Sequence, residues 1–331
     1  MQNTSRVLIN QQSSQQTPLI YAIVGPTASG KTEFAISLAN RLQCDILCVD
    51  AFQVYRGMDI GTAKPSYQER SLVCHHGLDL VSPLEPFSAS RFAIYAESIL
   101  EQTITKENPI VLCGGTGLYY RSLLEGFFTV PDPDPEIRQS LLDRANINLD
   151  EIYQELKKKD PITAEQIHPN DVRRITRALE ILYQTGKSIS ELKKTQGKKP
   201  WIDYCQFLGI QWDRDILHQR IEQRTQWMYS SGIIDETIRL IEIGCHPHHT
   251  SMQALGYKEC YSYCMGKISL LGAIELTTRE TRRYARRQIT WFRHQFPTHW
   301  LQINLNNDFG KIVEQSLHLW VKGGYNIQLE T

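Results

Sequence analysis

The sequence predicts an α/β chain: a parallel-sheet core built around a phosphate-binding loop, with an inserted all-helical domain. Three observations carry this. Short continuous apolar runs, "PLIYAIVG", "DILCVD", "GLDLV", "NPIVLCGG" and "CQFLGIQW", recur between helical stretches, as strands buried on both faces do. The first run ends in "GPTASGKT", Gly25 to Thr32, which fits the G-x-x-x-x-G-K-[ST] pattern and opens a helical stretch, the context a P-loop requires. From "VPDPDPEIR" (130–138) to "GKKPWID" (197–203) no strand candidate occurs, only helical patterns between a Pro-rich entry and a Lys/Gly/Pro exit.

In chain order, residues 1–17 are Gln/Ser-rich with a three-residue apolar island, too short for the core of a secretory signal. They read as a disordered tail, organelle import being the minor alternative. Residues 18–130 and 200–331 then form the core, and 131–199 the insertion. Helical stretches at 30–42 and 88–104 cross between strands, the second with Ser88 and Ser90 as candidate N-caps. In the insertion, "PEIRQSLLDRA" and "NDVRRITRALEILYQTG" are helical. After Trp212 the chain is helical through 215–244 and 272–296, and the C-terminal segment offers one short strand and a closing helix.

The longest apolar stretches fall well short of the roughly 20 residues of a membrane helix. Eight cysteines without a regular spacing fit reduced thiols in the cytoplasm. Cys245, His246, His248, His249, Cys260 and Cys264 lie within twenty residues and offer zinc ligands, though not at the spacing of the common fingers. Net charge is zero, 36 basic against 36 acidic residues, but the charge is zoned. Acids gather in 132–155, whereas "VRRITR" (172–177), "KKTQGKK" (193–199) and "TRRYARRQITWFR" (281–293) are basic, which keeps a nucleic-acid partner open.

A P-loop holds phosphate oxygens on successive backbone N–H groups and the helix N-terminus; Lys31 would neutralise the terminal phosphates, and the Thr32 hydroxyl would ligate Mg²⁺. A hydrolase of this class also wants an Asp at the end of a second strand. "PIVLC" instead runs into "GGTGLYY" (114–120) with no acid, and the strand-end carboxylate near the front of the sheet is Asp50. Asp50 could ligate metal, act as a general base or form a turn. Gly114, Gly115 and Gly117 permit close approach of the backbone to a ligand, and Thr116 offers a hydroxyl. On a helix, Arg279, Arg282, Arg283, Arg286, Arg287 and Arg293 share one arc, with Tyr284, Ala285, Trp291 and Phe292 opposite and only Glu280 as an acid within the run. A polyanion such as RNA would relieve the repulsion along that stripe, and Arg173, Arg174 and Arg177 add a second basic surface, suggesting a clamp.

These blocks, with "DAFQVYRGMDIGTAKP" (50–65), "HHGLDL" (75–80), "FSASRF" (87–92), "DPEIR" (134–138), "RRITRALE" (173–180), "LGYKE" (255–259) and "RRQITWFR" (286–293), resemble, in order over about 19–300, the bacterial-type tRNA dimethylallyltransferases, or tRNA isopentenyltransferases. The resemblance implies transfer of the dimethylallyl group of dimethylallyl diphosphate to N6 of adenosine 37 beside the anticodon, with Mg²⁺ as cofactor. The implied partners are the anticodon stem-loop and the diphosphate; a monomer is expected. It implies Asp50 as base, Thr116 on the bridging oxygen, and an Arg on the diphosphate, Arg224 favoured over Arg220. The loop Gly25, Pro26, Thr27, Ala28, Ser29, Gly30, Lys31 and Thr32 would hold the diphosphate, or a nucleotide such as ATP. The implied tRNA contacts are Asp50, Ala51, Phe52, Gln53, Thr116, Arg138, Arg173, Arg174, Arg177, Gln253, Gly256, Tyr257, Lys258, Arg286, Arg287, Gln288, Trp291 and Arg293, with the Gln53 carboxamide suited to an adenine edge. Ala51 departs from the family, which usually has Ser there. Two rivals share parts of the pattern: an isopentenyltransferase acting on free AMP, ADP or ATP, and a P-loop kinase or RNA-stimulated NTPase.

Overall fold

The computed structural model describes residues 7–9, 20–126, 130–132, 134–195, 200–304, 309–322 and 327–329. Of the tail expected over 1–17, residues Val7–Ile9 form a short strand, β1; the rest lies outside the described residues. Two units divide the chain, 1–124 with 200–331, and 125–199.

The first unit begins its sheet with β2 (Ile20–Val24), buried throughout, and passes through the phosphate loop into α1 (Lys31–Leu42). Then come β3 (Asp45–Cys48), α2 (Tyr67–Leu72), the two-residue β4 (His75–His76), α3 (Ala89–Thr105), β5 (Ile110–Cys113) and α4 (Gly117–Leu124). Ser88 caps α3 by accepting from the Arg91 amide; Ser90 lies inside the helix and bonds the Ser88 hydroxyl instead.

The second unit is helical: α5 (Pro135–Ile147), α6 (Leu149–Lys159), α7 (Pro161–Glu165), α8 (Val172–Thr185) and α9 (Ile189–Thr195). Asp134, Asn148, Asp160 and Asp171 cap the first four of these with side-chain oxygens. Leu141, Ile152, Leu156, Ile175 and Leu179 form its core.

The chain returns to the first unit with β6 (Cys205–Trp212), α10 (Arg214–Ser230), α11 (Ile233–Glu242), α12 (Tyr257–Cys264), the 26-residue α13 (Leu270–Gln295), β7 (Thr298–Ile303), α14 (Phe309–Lys322) and β8 (Ile327–Leu329), which pairs antiparallel with β1.

The six-stranded sheet has the order β4-β3-β5-β2-β6-β7, all pairs parallel. Alternate residues of one strand serve two cores: Ile20, Ala22 and Val24 face one, Tyr21 and Ile23 the other. That sandwiching explains the unbroken apolar runs. One strand expectation fails. "GLDLV" (77–81) is not a strand, because Gly77 and Asp79 adopt positive φ (82° and 55°) and turn the chain away after β4. The Asp79 carboxylate instead binds Lys64 at 2.7 Å and Arg70 at 2.9 Å. No helix among the described residues is long and apolar enough to cross a membrane.

Candidate active site

In a parallel sheet the strand ends that follow the chain direction present loops to one side, where ligands bind. Here the ends of β2, β3 and β5 deliver the phosphate loop, Asp50 and the 114–117 loop. A cavity of about 490 Å3 lies within the first unit, lined by the phosphate loop from Thr27 to Thr32, by Asp50, Phe52 and Gln53, by Gly114 and Gly115, and by Arg224, Tyr284 and Arg287.

The phosphate loop is shaped by unusual backbone. Gly25 has φ 146°, and a Cβ there would sit 2.7 Å from the Ile210 carbonyl, so only glycine passes that point. Ala28, a non-glycine, is held at φ 64°. Gly30 is the left-handed N-cap of α1, and the amides of Ala28, Gly30, Lys31 and Thr32 find no acceptor among the described residues. They are free for an anion. The Ser29 hydroxyl is buried without a partner. Lys31 Nζ donates to the Pro26 carbonyl at 2.7 Å, and burial pulls its pKa down to about 8.

Two arginines of α10 brace the loop differently. Arg224 donates to Thr27 Oγ1 at 2.5 Å and lines the cavity, its pKa lowered by burial and partly restored by Asp50. Arg220 donates to the Ala28 carbonyl at 2.8 Å, stacks over Trp212 with 4.4 Å to the ring centroid, and is not among the cavity-lining residues. The structure therefore separates the pair that sequence left open: Arg224 faces the cavity, and Arg220 supports the loop.

Asp50 follows β3, whose ladder continues through Val49 N–H to the Cys113 carbonyl at 2.8 Å. One carboxylate oxygen, Oδ1, accepts from the amides of Phe52 (2.9 Å) and Gln53 (3.3 Å), an Asx turn; Oδ2 makes no hydrogen bond among the described residues. The turn and the base are thus compatible in one side chain. The Ala51 amide donates to Thr116 Oγ1 at 3.1 Å, so the Thr116 hydroxyl proton is left to donate to the Tyr284 hydroxyl or into the cavity. The Ala51 methyl packs on the core.

Several expected RNA contacts turn out to be spent on the protein. Gln288, 5% exposed, accepts from the Thr27 amide at 2.8 Å and donates to the Gly115 carbonyl at 3.0 Å, tying the two loops together. Gln53 Nε2 donates to the Thr62 and Ala63 carbonyls, both at 3.2 Å, so only its acceptor remains for a base edge. Tyr257 is buried, its hydroxyl donating to Glu236 and accepting from the Gly61 amide; Gly256 is buried beside it. Trp291 packs where a Gly117 side chain would stand, 2.2 Å from that missing Cβ. Gly114 and Gly115 likewise make room for the Val49 backbone and Gln288, and both line the cavity. Gln253 bonds the Pro247 carbonyl yet lines the cavity.

The arginine stripe is also less naked than expected. Arg279 and Arg283 contact Glu280, Arg282 contacts Glu222 of α10 at 3.2 Å, and Arg293 bonds Gln211 at 2.6 Å. Arg286 and Arg287 have no carboxylate partner among the described residues; Arg286 and Lys258 are exposed, and Arg287 reaches the cavity. Within the second unit, Arg138 and Arg177 both hold the buried Glu180, each at 3.0 Å, and Arg174 pairs with Asp171; Arg173 is exposed without an ion pair among the described residues. Among the described residues no three donors of the 245–264 Cys/His cluster come together as ligands: Cys245 and Cys260 are buried, while the rings of His246, His248 and His249 pack against one another.

Sequence reasoning missed Glu236, which accepts from the Asp59 and Ile60 amides (3.1 Å each) and so fixes the loop after Asp50. An acid in a helix gives no hint of such a partner. It also placed Tyr284 in the core, whereas Tyr284 lines the cavity with its hydroxyl in hydrogen-bond reach of Thr116 and Gln288.

Fold and site together define a P-loop α/β protein in which a strand-end carboxylate, not a hydrolytic acid on the neighbouring strand, faces the phosphate cradle. Residues 53–295 match the family described as IPP transferase, and residues 18–74 match isopentenyl transferase. The chain belongs to the IPP transferase family. It is 43% identical over 290 residues to a tRNA dimethylallyltransferase 2 of Geotalea daltonii, covering 87% of this chain and 89% of that protein. A crystal structure of the full-length tRNA isopentenylpyrophosphate transferase of Bacillus halodurans is similar with TM-score 0.66 and 35% identity, over 92% of this chain and 97% of that one. A eukaryotic dimethylallyltransferase captured acting on tRNA is similar with TM-score 0.77 and 26% identity, over 94% and 81%.

Proposed function

We infer that this protein transfers the dimethylallyl group of dimethylallyl diphosphate to N6 of adenosine 37 in tRNA, releasing diphosphate. The observation that carries the reading is that Asp50, with one oxygen unbonded, shares a cavity with the phosphate loop, Lys31 and Arg224.

The adenine amine is a weak nucleophile because its lone pair is delocalised into the ring. As the N6–C bond forms and the allylic C–O bond breaks, the electron pair of that bond leaves with diphosphate, and the N6 proton passes to Asp50 Oδ2. Free loop amides, Lys31 and Arg224 take up the negative charge growing on the leaving group, and the Thr116 hydroxyl donates toward the bridging oxygen. The Thr32 hydroxyl lines the cavity and makes no hydrogen bond among the described residues, which fits one protein ligand for Mg²⁺, a cation that takes most of its oxygens from phosphate and water. When bound it would add positive charge beside the leaving group. A base must leave its stack to reach Asp50. Lys258, Arg286 and Arg287 on the first unit and Arg173 on the second are exposed cations available to RNA phosphates, and the exposed Arg174 could exchange its pair with Asp171 for one.

The test is incubation with labelled dimethylallyl diphosphate and Mg²⁺, offering unmodified tRNA or AMP or ATP as acceptor, and ATP alone without the donor. Label is expected on tRNA only. Label on free nucleotide alone, or phosphate release without an allyl donor, would overturn the reading.

A further inference from the structure

At the opposite end of β3 from Asp50, three different donor groups meet. Asp45 Oδ2 lies 2.8 Å from His76 Nε2, and Cys74 Sγ lies 3.7 Å from the same nitrogen. One ligand atom from each falls within 4.8 Å of the other two.

The backbone fixes this grouping. β3 and β4 pair in parallel with Ile46 opposite His75 and Leu47 opposite His76, and the Ile46 amide bonds the Cys74 carbonyl at 2.9 Å. Asp45 therefore stands across from Cys74. Cys74 and His76, two residues apart, point to one face of the strand, while His75 between them lines the active-site cavity on the other. The cluster is thus separate from the site described above.

We propose that Asp45, Cys74 and His76 form a three-donor site for a zinc-class divalent cation, clipping the two-residue edge strand β4 to β3. The donor set suits such an ion: thiolate and carboxylate balance a dication, imidazole adds a neutral nitrogen, and a fourth position stays open for water. Tetrahedral zinc with ordinary bond lengths separates sulfur from nitrogen by about 3.6 Å and nitrogen from carboxylate oxygen by about 3.3 Å. The Cys74–His76 spacing is already near that value, and the Asp45–His76 hydrogen bond must open by about half an ångström, within a carboxylate rotation.

The test uses full-length, EDTA-treated protein under reducing conditions. Zinc affinity is measured by competition with a chromophoric chelator, and cobalt substitution reads sulfur ligation. One metal per chain and a thiolate-to-cobalt charge-transfer band are expected. Cys74→Ser should abolish the band, and Cys74→Ser, Asp45→Asn and His76→Gln should each weaken zinc at least tenfold. Prenyl transfer should stay within twofold, since none of the three touches the cavity's chemistry. Alkylation of Cys74 in the unaltered chain, mapped by mass spectrometry, should slow at least tenfold with zinc, a readout that needs no variant. Equal zinc affinity in the parent and Cys74→Ser, a cobalt complex without the sulfur band, alkylation unaffected by zinc, or zinc lost only on changing His246, His248 and His249 would overturn the proposal.

Discussion

Asp50→Asn separates two jobs that Asp50 performs with different oxygens. Asparagine keeps an Oδ1 acceptor for the Phe52 and Gln53 amides, so the turn should persist, but it cannot take a proton from N6. General-base catalysis contributes about 10²- to 10⁴-fold. At about 1.36 kcal/mol per decade, that raises the barrier by roughly 3 to 5 kcal/mol. Asp50→Ala removes the same base and both turn bonds, each contributing about 1 kcal/mol, so it should also lower stability by about 2 kcal/mol. The assay is single-turnover transfer of labelled dimethylallyl to tRNA, with thermal melts and tRNA binding in parallel. Both variants should be slow with parental tRNA affinity, and only the alanine variant should melt early. Turnover of Asp50→Asn within tenfold of the parent would refute the base, and matching melts of the two variants would refute the division of labour.

The phosphate loop should show a pH signature: Lys31 loses its proton above about pH 8 in the free protein, whereas a bound diphosphate favours the charged form. Diphosphate affinity should therefore fall as pH rises through 8, by up to about tenfold per unit, with a proton taken up on binding, visible by calorimetry in buffers of different ionisation heat. Gln288→Ala should lower diphosphate affinity by up to about 30-fold by cutting both tethers, each about 1 kcal/mol, while tRNA binding holds; unchanged affinity would make the bridge incidental. Arg286→Ala with Arg287→Ala should reduce the salt slope of tRNA binding by about 1 to 2, at unchanged melting temperature, since neither residue has a carboxylate partner among those described. An unaltered slope would remove these arginines from the RNA surface.

The parts of the fold legible in the sequence are those governed by local pattern. Strands β2 and β5 were readable because each is buried throughout and apolar, β3 and β6 because their central residues are, and the phosphate loop because its glycines and Lys-Thr pair stand at fixed offsets. "GLDLV" misled for the same reason: its composition is strand-like, and only the positive φ at Gly77 and Asp79, the latter held beside Lys64 and Arg70, turns it out of the sheet. Pattern alone could locate Asp50 but not choose its role, since turn, ligand and base demand the same residue at that place; the reading as base came from the family resemblance.

What stayed hidden depends on partners distant in sequence. Arg282 looked unpaired because Glu222 lies 60 residues away on another helix. Tyr257 and Gln288 sit in blocks typical of RNA contact, yet one is anchored on Glu236 and the other on the two loops. No periodicity reveals such long-range hydrogen bonds. The different placements of Arg220 and Arg224 also depend on distant partners, Trp212 beneath Arg220 and Thr27 at Arg224.

Gln288 has one more consequence, for the length of the chain rather than its composition. It projects from α13 two residues after Arg286, and each helical residue advances the side-chain direction by about 100°. A single residue inserted anywhere between the start of α13 and Gln288 would swing the amide off both loops, or else turn the segment before it out of phase with the rest of the molecule. This helix can therefore exchange many of its exposed residues, but it cannot gain or lose one without uncoupling the phosphate cradle from the glycine loop.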